Sequence, residues 1–208
     1  MPIKTFPLGP LETNCHLVHN GRTAVVVDPG GAPRPVLNYL EMQGLTLTHI
    51  LNTHLHFDHI YGNAALAAAT GAPILASAGD AFLRQTELGK GGAFGFPAVD
   101  DFTSIDLEPG EHRFGDLACT AFATPGHTPG SLSFYFPEED TIIVGDLIFY
   151  RSIGRTDFPG GDLEKLRASV HDHIFTLPGK TRILPGHGPA TSVDDETRNN
   201  PYFGDFAV

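Results

Sequence analysis

Thiols, basic charge and long apolar runs are what this sequence has least of, and each scarcity removes a class of protein. Cysteine occurs twice in 208 residues, as Cys15 in NCHLV and Cys119 in LACTAF. Both settings are apolar and strand-like, so two buried reduced thiols are expected rather than a disulfide or a catalytic pair. Lysine and arginine total 13 against 24 acidic residues, a net charge of −11 with histidine neutral. That balance repels phosphate backbones and anionic bilayers, which argues against nucleic acid or a membrane as partner. The opening MPIKTFPLGP has no apolar run of signal-peptide length, and no membrane-length segment follows. A cytoplasmic protein is the expectation. No serine or cysteine stands out as a nucleophile.

Glycine (24) and proline (17) are plentiful beside 41 % hydrophobic residues, which points to many short elements joined by tight turns. The length suits one domain over 1–208, and folding should hide roughly 70 % of the unfolded surface. Strands are expected at 13–20, 23–30, 48–54, 72–77, 117–124, 131–137, 141–146 and 182–187, mostly rich in β-branched and aromatic residues and bounded by Gly, Pro or Asn. Helices are expected at 33–43, 62–70, 79–88 and 162–176. In the last, Asp162 suits the N-cap and Leu163, Leu166, Val170 and Ile174 recur at helical spacing, with His171 and His173 on or beside the polar side. The glycine-rich segment 89–101, anchored by Phe94, Phe96 and Pro97, reads as a mobile loop, a surface connector ahead of a substrate lid. A faint internal echo pairs TAVVVDPGG with TIIVGDLIF, and HILNTHLH with RILPGHG. It hints at two stacked β-rich halves with helices outside and strand ends meeting at one edge.

Three of the eleven histidines fall within THLHFDH, residues 53–59. Alternate residues of a strand share a face, so His54 and His56 point one way, and Asp58 and His59 fall on the turn that follows. Imidazoles and carboxylates without thiolate suit zinc, iron(II) or manganese with a position left for water. Three further strand ends carry ligand-type residues near glycine: His127 in TPGHTPGS, Asp146 in VGDLIF and His187 in LPGHG. Asp146 closes an apolar strand, where an ionised carboxylate is costly unless a cation meets it. A lone loop histidine is more often a surface residue, but four such segments together predict a metal site.

Taken together, HLHFDH, TPGHTPGS, VGDLIF and LPGHG resemble the metallo-β-lactamase-fold hydrolases over about residues 12–190. Within them the chain is most similar to the small glyoxalase II-type (hydroxyacylglutathione hydrolase-like) thioesterases, because Asp146 matches a metal-bridging aspartate that the β-lactamases proper lack there. The resemblance implies an α/β fold, a four-layer αββα sandwich with the metal site at the edge of the two sheets, and no separate C-terminal helical domain. It implies two divalent metals, zinc first and iron or manganese as alternatives. His54, His56 and His127 would bind one, Asp58, His59 and His187 the other, with Asp146 between them. Asp58 and Asp146 would also take part in the reaction. Asp28 would stand behind the ligands or, alternatively, serve the turn before Pro29-Gly30.

Two cations about 3.5–4 Å apart can share a water and lower its pKa from near 16 to around 7. The hydroxide so formed would cleave a small thioester such as S-lactoylglutathione, and thiols, which ionise near pH 8–9, leave without a strong general acid. Arg155, in SIGRTDFPGGD, matches a basic family residue that helps hold glutathione, while Asp157 and Pro189 stand where the family has tyrosines. Arg151 and Arg155 have an alternative structural use, pairing with Asp157 or Asp162. The nearest rival is a mononuclear Fe(II) persulfide dioxygenase built on His54, His127 and Asp146, with lactonase or β-lactamase chemistry behind it. An RNA-processing nuclease is disfavoured by the charge, and a non-catalytic metal-binding module would be expected to have lost ligands. The chain would act as a monomer or homodimer.

Overall fold

The computed structural model describes residues 3–93 and 95–203; Phe94, one of the loop anchors expected above, lies outside them. The first sheet runs in spatial order β1 (Ile3–Leu8), β2 (Thr13–His19), β3 (Thr23–Val27), β4 (Thr46–Leu51), β5 (Ile74–Ala76) and β6 (Ile105–Asp106). The second contains β7 (Gly110–Phe114), β8 (Leu117–Ala123), β9 (Leu132–Phe136) and β10 (Thr141–Gly145), continued on the β10 side by β13 (Arg182–Pro185) and β14 (Thr191–Ser192). Between β10 and β13 in sequence lies a small hairpin, β11 (Ile148–Phe149) and β12 (Ser152–Ile153). The helices are α1 (Arg34–Gln43), α2 (Phe57–Ile60), α3 (Asn63–Thr70), α4 (Glu87–Lys90), α5 (Leu163–Ser169) and α6 (Val193–Asn199).

Period-2 alternation decides which way each sheet faces. In β2, Cys15 and Leu17 point to the outer layer with Val36 and Leu40 of α1 and Leu66 of α3. Val18, one residue on, points inward and joins Val25, Val27 and Leu51 against Leu117, Phe134, Phe136 and Ile143 of the second sheet. The outer face of that sheet, Ile142, Val144 and Ile183, is covered by Leu166, Val170 and Ile174 and by Val193 of α6. Helix, sheet, sheet and helix therefore stack in four layers, as expected. Each fully buried Leu, Ile or Phe among them contributes about 1.5–3 kcal/mol. Cys15 and Cys119 belong to different layers and are both free and buried, and burial pushes both thiols far above the usual range.

The internal echo has a structural meaning. β3 and β4 pair in parallel across α1, and β10 and β13 pair in parallel across α5, since parallel neighbours need a crossover. The echoed segments are these four strands. Their carboxyl ends release Asp28, His54, Asp146 and His187.

Some elements differ from the sequence expectation. The helix expected over 162–176 starts as foreseen, with the Asp162 side chain accepting from the Lys165 amide, but becomes a π-helical turn at Val170–Ile174. Leu166, Val170 and Ile174 are spaced by fours, a spacing that drifts around a 3.6-residue helix; the wider turn keeps all three fully buried. The stretch 79–88 forms a 3₁₀ helix, Ala78–Gln85, followed by α4. Strand β1 was not anticipated: it is an edge strand, where Pro7 is tolerated. Among the described residues no helix is long and apolar enough to cross a membrane.

Candidate metal centre

Buried strands stop here in glycine- and proline-bounded turns, so their last side chains meet at one edge of the sandwich. His54 follows β4, His56 caps α2, and Asp58 and His59 lie in its single turn. The structure brings all seven expected ligand-type residues together. His54 Nε2 lies 3.1 Å and His127 Nε2 3.0 Å from His56 Nδ1. Beside them, His187 Nε2 lies 3.2 Å and His59 Nε2 3.6 Å from Asp58 Oδ2. Asp146 stands between the two groups, with Oδ1 3.3 Å from His59 Nε2, and Oδ2 3.8 Å from His127 Nε2 and 3.7 Å from His187 Nε2.

These side chains fit divalent cations. Three ring nitrogens converging at 3.0–3.1 Å approach the roughly 3.3 Å edge of a tetrahedron with zinc–nitrogen bonds of about 2.0–2.1 Å. Buried His59 Nε2 and Asp146 Oδ1 have no hydrogen-bond partner, although buried polar groups normally find one. Three remote ring nitrogens are held. His127 Nδ1 meets the Arg155 carbonyl at 2.7 Å, His187 Nδ1 the Leu11 carbonyl at 3.2 Å, and His59 Nδ1 Asp28 Oδ2 at 2.9 Å. A carbonyl or carboxylate partner requires N–H on that nitrogen and leaves the inward Nε2 a lone pair.

The electrostatics divide the site. Burial, reinforced by neighbouring imidazoles, keeps His54 neutral far below its usual range and pulls His56 down to about 3. On the other side burial also opposes charge on His59, but Asp58, Asp146 and Asp28 push it well above the ordinary histidine range. Asp146 runs the opposite way: burial raises it, and His59 more than offsets that. Positive charge is thus drawn in among carboxylates, which is what a divalent cation would provide.

Asp28 sits behind the site, at φ 53°. It accepts from the Thr53 amide at 2.8 Å, Thr53 Oγ1 at 2.6 Å and His59 Nδ1. Thr53 Oγ1, committed as donor to Asp28, lies 3.0 Å from His54 Nδ1, so one carboxylate sets two imidazoles. Sequence reasoning missed the other supports. Asp80 accepts from the Leu55 amide at 3.2 Å, Thr128 Oγ1 at 2.7 Å and the Gly130 amide at 2.7 Å, tying two ligand loops together. Thr13 donates to Asp58 Oδ2 at 3.0 Å, and Asn14 Nδ2 donates to the Pro185 and Gly188 carbonyls on either side of His187. At Gly186 a Cβ would collide with Asp146 Oδ1 and come within 2.6 Å of His59, so only glycine fits.

A cavity of about 700 Å³ opens over the site, walled by Leu11, Phe57, Leu88, Phe96, Phe158 and Pro159. Segment 89–101 is therefore more than a connector: Phe96 packs on Phe57 at 5.1 Å between ring centroids, and Gly91 and Ala93 also line the space. The Arg155 side chain reaches the cavity but pairs with Asp157. Arg151, at φ 58°, is bound elsewhere, to Asp195 and the buried Glu196; its partners are neither Asp157 nor Asp162.

Comparison with known proteins agrees with this geometry. The sequence profile of the Metallo-beta-lactamase superfamily matches residues 8–187. The chain is 34 % identical over 214 residues, with all of both chains covered, to the "Probable metallo-hydrolase YqgX" of Bacillus subtilis (strain 168). It is 32 % identical to the "Hydroxyacylglutathione hydrolase GloC" of Haemophilus influenzae, covering 97 % of this chain and 98 % of that one. Among solved structures, BLEG-1 B3 metallo-beta-lactamase superposes with a TM-score of 0.91 at 35 % identity (97 % and 99 % covered). A di-iron-bound form of TTHA1623 superposes with 0.86 at 37 % (96 % and 99 %), and ETHE1 from Myxococcus xanthus with 0.77 at 32 % (98 % and 84 %). With its cluster of histidines and aspartates able to bind divalent metals, the chain belongs to the metallo-beta-lactamase superfamily and is a metal-dependent hydrolase of that fold.

Proposed function

We propose that this protein hydrolyses thioesters at a two-metal site. The observation that carries the reading is Asp146, which stands between the two groups of histidines: Oδ1 lies 3.3 Å from His59 Nε2, and Oδ2 lies 3.7 Å from His187 Nε2 and 3.8 Å from His127 Nε2. His54, His56 and His127 would hold one cation and Asp58, His59 and His187 the second, with Asp146 shared. Nitrogen and oxygen donors without thiolate suit zinc, and iron or manganese fit the same set. When bound, the cations supply Lewis acidity and a water ionisable near neutral pH.

The chain's own part is positioning. Thr13 fixes Asp58 by donating to Oδ2, which leaves Oδ1 to accept a hydrogen bond from the attacking water and aim it. Asp28, the Arg155 carbonyl and the Leu11 carbonyl hold His59, His127 and His187 in the tautomer that offers Nε2. The apolar cavity walls exclude bulk water, which strengthens every charge interaction inside. The leaving thiolate needs no strong acid at neutral pH, because thiols ionise near pH 8–9. The similarity to the Haemophilus protein, named for a glutathione thioester, supports this class of substrate.

A second reading, persulfide oxidation at a single iron, is favoured by one observation: His127 and Asp146 lie close enough, with His54, to form a two-histidine, one-carboxylate face. Elemental analysis of the purified protein, followed by parallel assays for thiol release from thioesters, S-lactoylglutathione first, and for oxygen uptake with glutathione persulfide, separates the two. Two metals per chain with thiol release is the expected result. One iron per chain with oxygen uptake overturns it.

A further inference from the structure

The cavity carries a second piece of chemistry. Arg155 is the one lysine or arginine among the described residues that line it. Its Nε and Nη2 donate side-on to Asp157 at 2.8 and 2.7 Å, and its guanidinium lies 3.6 Å from the Phe158 ring centroid. That fork is the geometry by which arginine takes a carboxylate, and here it is filled from within the chain. Asp157 is two residues away and so held at high local concentration. A substrate carboxylate taking the same edge would have to displace Asp157, and one taking the Nη1–Nη2 edge would lie beside it and be repelled. Glu87 adds another carboxylate to the lining and Thr86 a hydroxyl; away from the ligand-type residues the rest of the wall is apolar, with Phe57, Leu88, Phe96, Phe158 and Pro159 its largest members.

We propose, resting on the thioester hydrolase reading, that the body of the substrate beyond the scissile bond is uncharged and apolar, and that Asp157 sets this preference by occupying the fork of Arg155. Asp157 acts through Arg155 and is a specificity-determining residue. The preference excludes a thiol that carries free carboxylates, such as glutathione, as the favoured leaving group.

The metal-loaded full chain is assayed on two pairs of thioesters. One pair shares a lactoyl group on glutathione or on benzyl mercaptan; the other shares N-acetylcysteamine and carries a succinyl or a hexanoyl group. The expected result is a kcat/KM preference for the apolar member of at least one pair by about tenfold, the equivalent of one charge-assisted hydrogen bond. Asp157→Ala and the isosteric Asp157→Asn should both erase it by lowering KM for the acidic member. Calorimetric titration with the uncleavable thioether S-methylglutathione should show tighter binding to both variants than to the natural chain. Preference for the acidic member in both pairs, or ratios and binding unmoved by both variants, overturns the proposal. Failure of thiol release from all four thioesters with two metals bound overturns the hydrolase reading instead, and the thioether titration then still decides the role of Asp157.

Discussion

The two crossover units of the molecule, β3–α1–β4 and β10–α5–β13, are equivalent in topology and unequal in how they build the site. After β4 one loop supplies His54, His56, Asp58 and His59 within six residues, backed by Asp28 from the end of β3 through the Thr53 and His59 hydrogen bonds. The second unit offers single side chains, Asp146 after β10 and His187 after β13, and the neighbouring β8–β9 loop adds His127. Local bonds, such as the Gly186 amide to the Gly145 carbonyl and His127 Nδ1 to the Arg155 carbonyl, are supplemented from further away. Asn14 from β2 clasps the carbonyls around His187, and Asp80 from the 3₁₀ segment fastens the loop that carries His127. Burial follows the same division: the His59 side chain is fully buried, whereas that of His187 is 30 % exposed. The first unit carries its own backing carboxylate, Asp28, besides help from Thr13 and Asp80; the second unit has no such carboxylate and draws on Asn14 and Asp80 from the first half of the chain.

Asp146 is where the two meet, so removing its charge should do the most damage. Asp146→Asn is expected to lose metal from both groups and to lower activity about a thousandfold, the rate equivalent of about 4 kcal/mol. The fold should survive, because the carboxylate is not part of either core layer. Metal stoichiometry with circular dichroism checks this. Full activity, or loss of the fold, would break the bridging role.

The seven ligand-type residues were legible in the sequence because THLHFDH concentrates four of them behind one apolar strand, and His127, Asp146 and His187 each follow a glycine at a strand end. What positions those ligands was not. Asp80, Thr13, Asn14 and Thr128 look like ordinary polar residues in SAGD, TNC and GHTPG, and only tertiary proximity gives them their partners. The four layers could be anticipated from the echo between strands, since alternation and crossovers are local signals. Strand β1 was obscured by Lys4 and Pro7, which interrupt an alternating pattern. Helix α6 was obscured by composition: VDDETRN offers one apolar anchor, Val193, and its buried Glu196 is stabilised by Arg151 from far along the chain. The 89–101 segment read as a connector because its contribution, Phe96 against Phe57, is a contact between residues far apart in sequence.

The unit with its own backing carboxylate can be broken from behind. Asp28→Asn keeps the shape but puts an amide where a carboxylate accepts three hydrogen bonds. An amide N–H facing His59 Nδ1 turns that nitrogen into an acceptor, and the ring proton moves to Nε2, inside the site. Metal affinity should fall 10- to 100-fold, the usual cost of losing such a partner. His59 belongs to the aspartate-rich group, so that metal should leave first, and titration with zinc should resolve one weakened and one less affected site. Equal weakening of both would show that the Thr53 link carries the effect to His54 as strongly as the direct contact does to His59.

The smallest change tests whether the second unit really borrows its support. Asn14→Ala removes two hydrogen bonds to the carbonyls of Pro185 and Gly188 and touches no ligand. Unfolding stability should drop by about 1 kcal/mol per lost bond, more if the Pro185 carbonyl finds no other donor. His16 Nε2 lies 3.2 Å from that carbonyl, so it is the Gly188 end of the loop that loosens. His187 then has more orientations to choose from, and binding of the second metal should weaken several-fold while the three-histidine group keeps its cation. If zinc titration instead shows both sites untouched, the β13 turn is held by backbone hydrogen bonds that the substitution keeps, from the Gly186 amide to the Gly145 carbonyl and from the Asn14 amide to the Gly186 carbonyl, and the contrast between the two units is one of ligand number rather than of support.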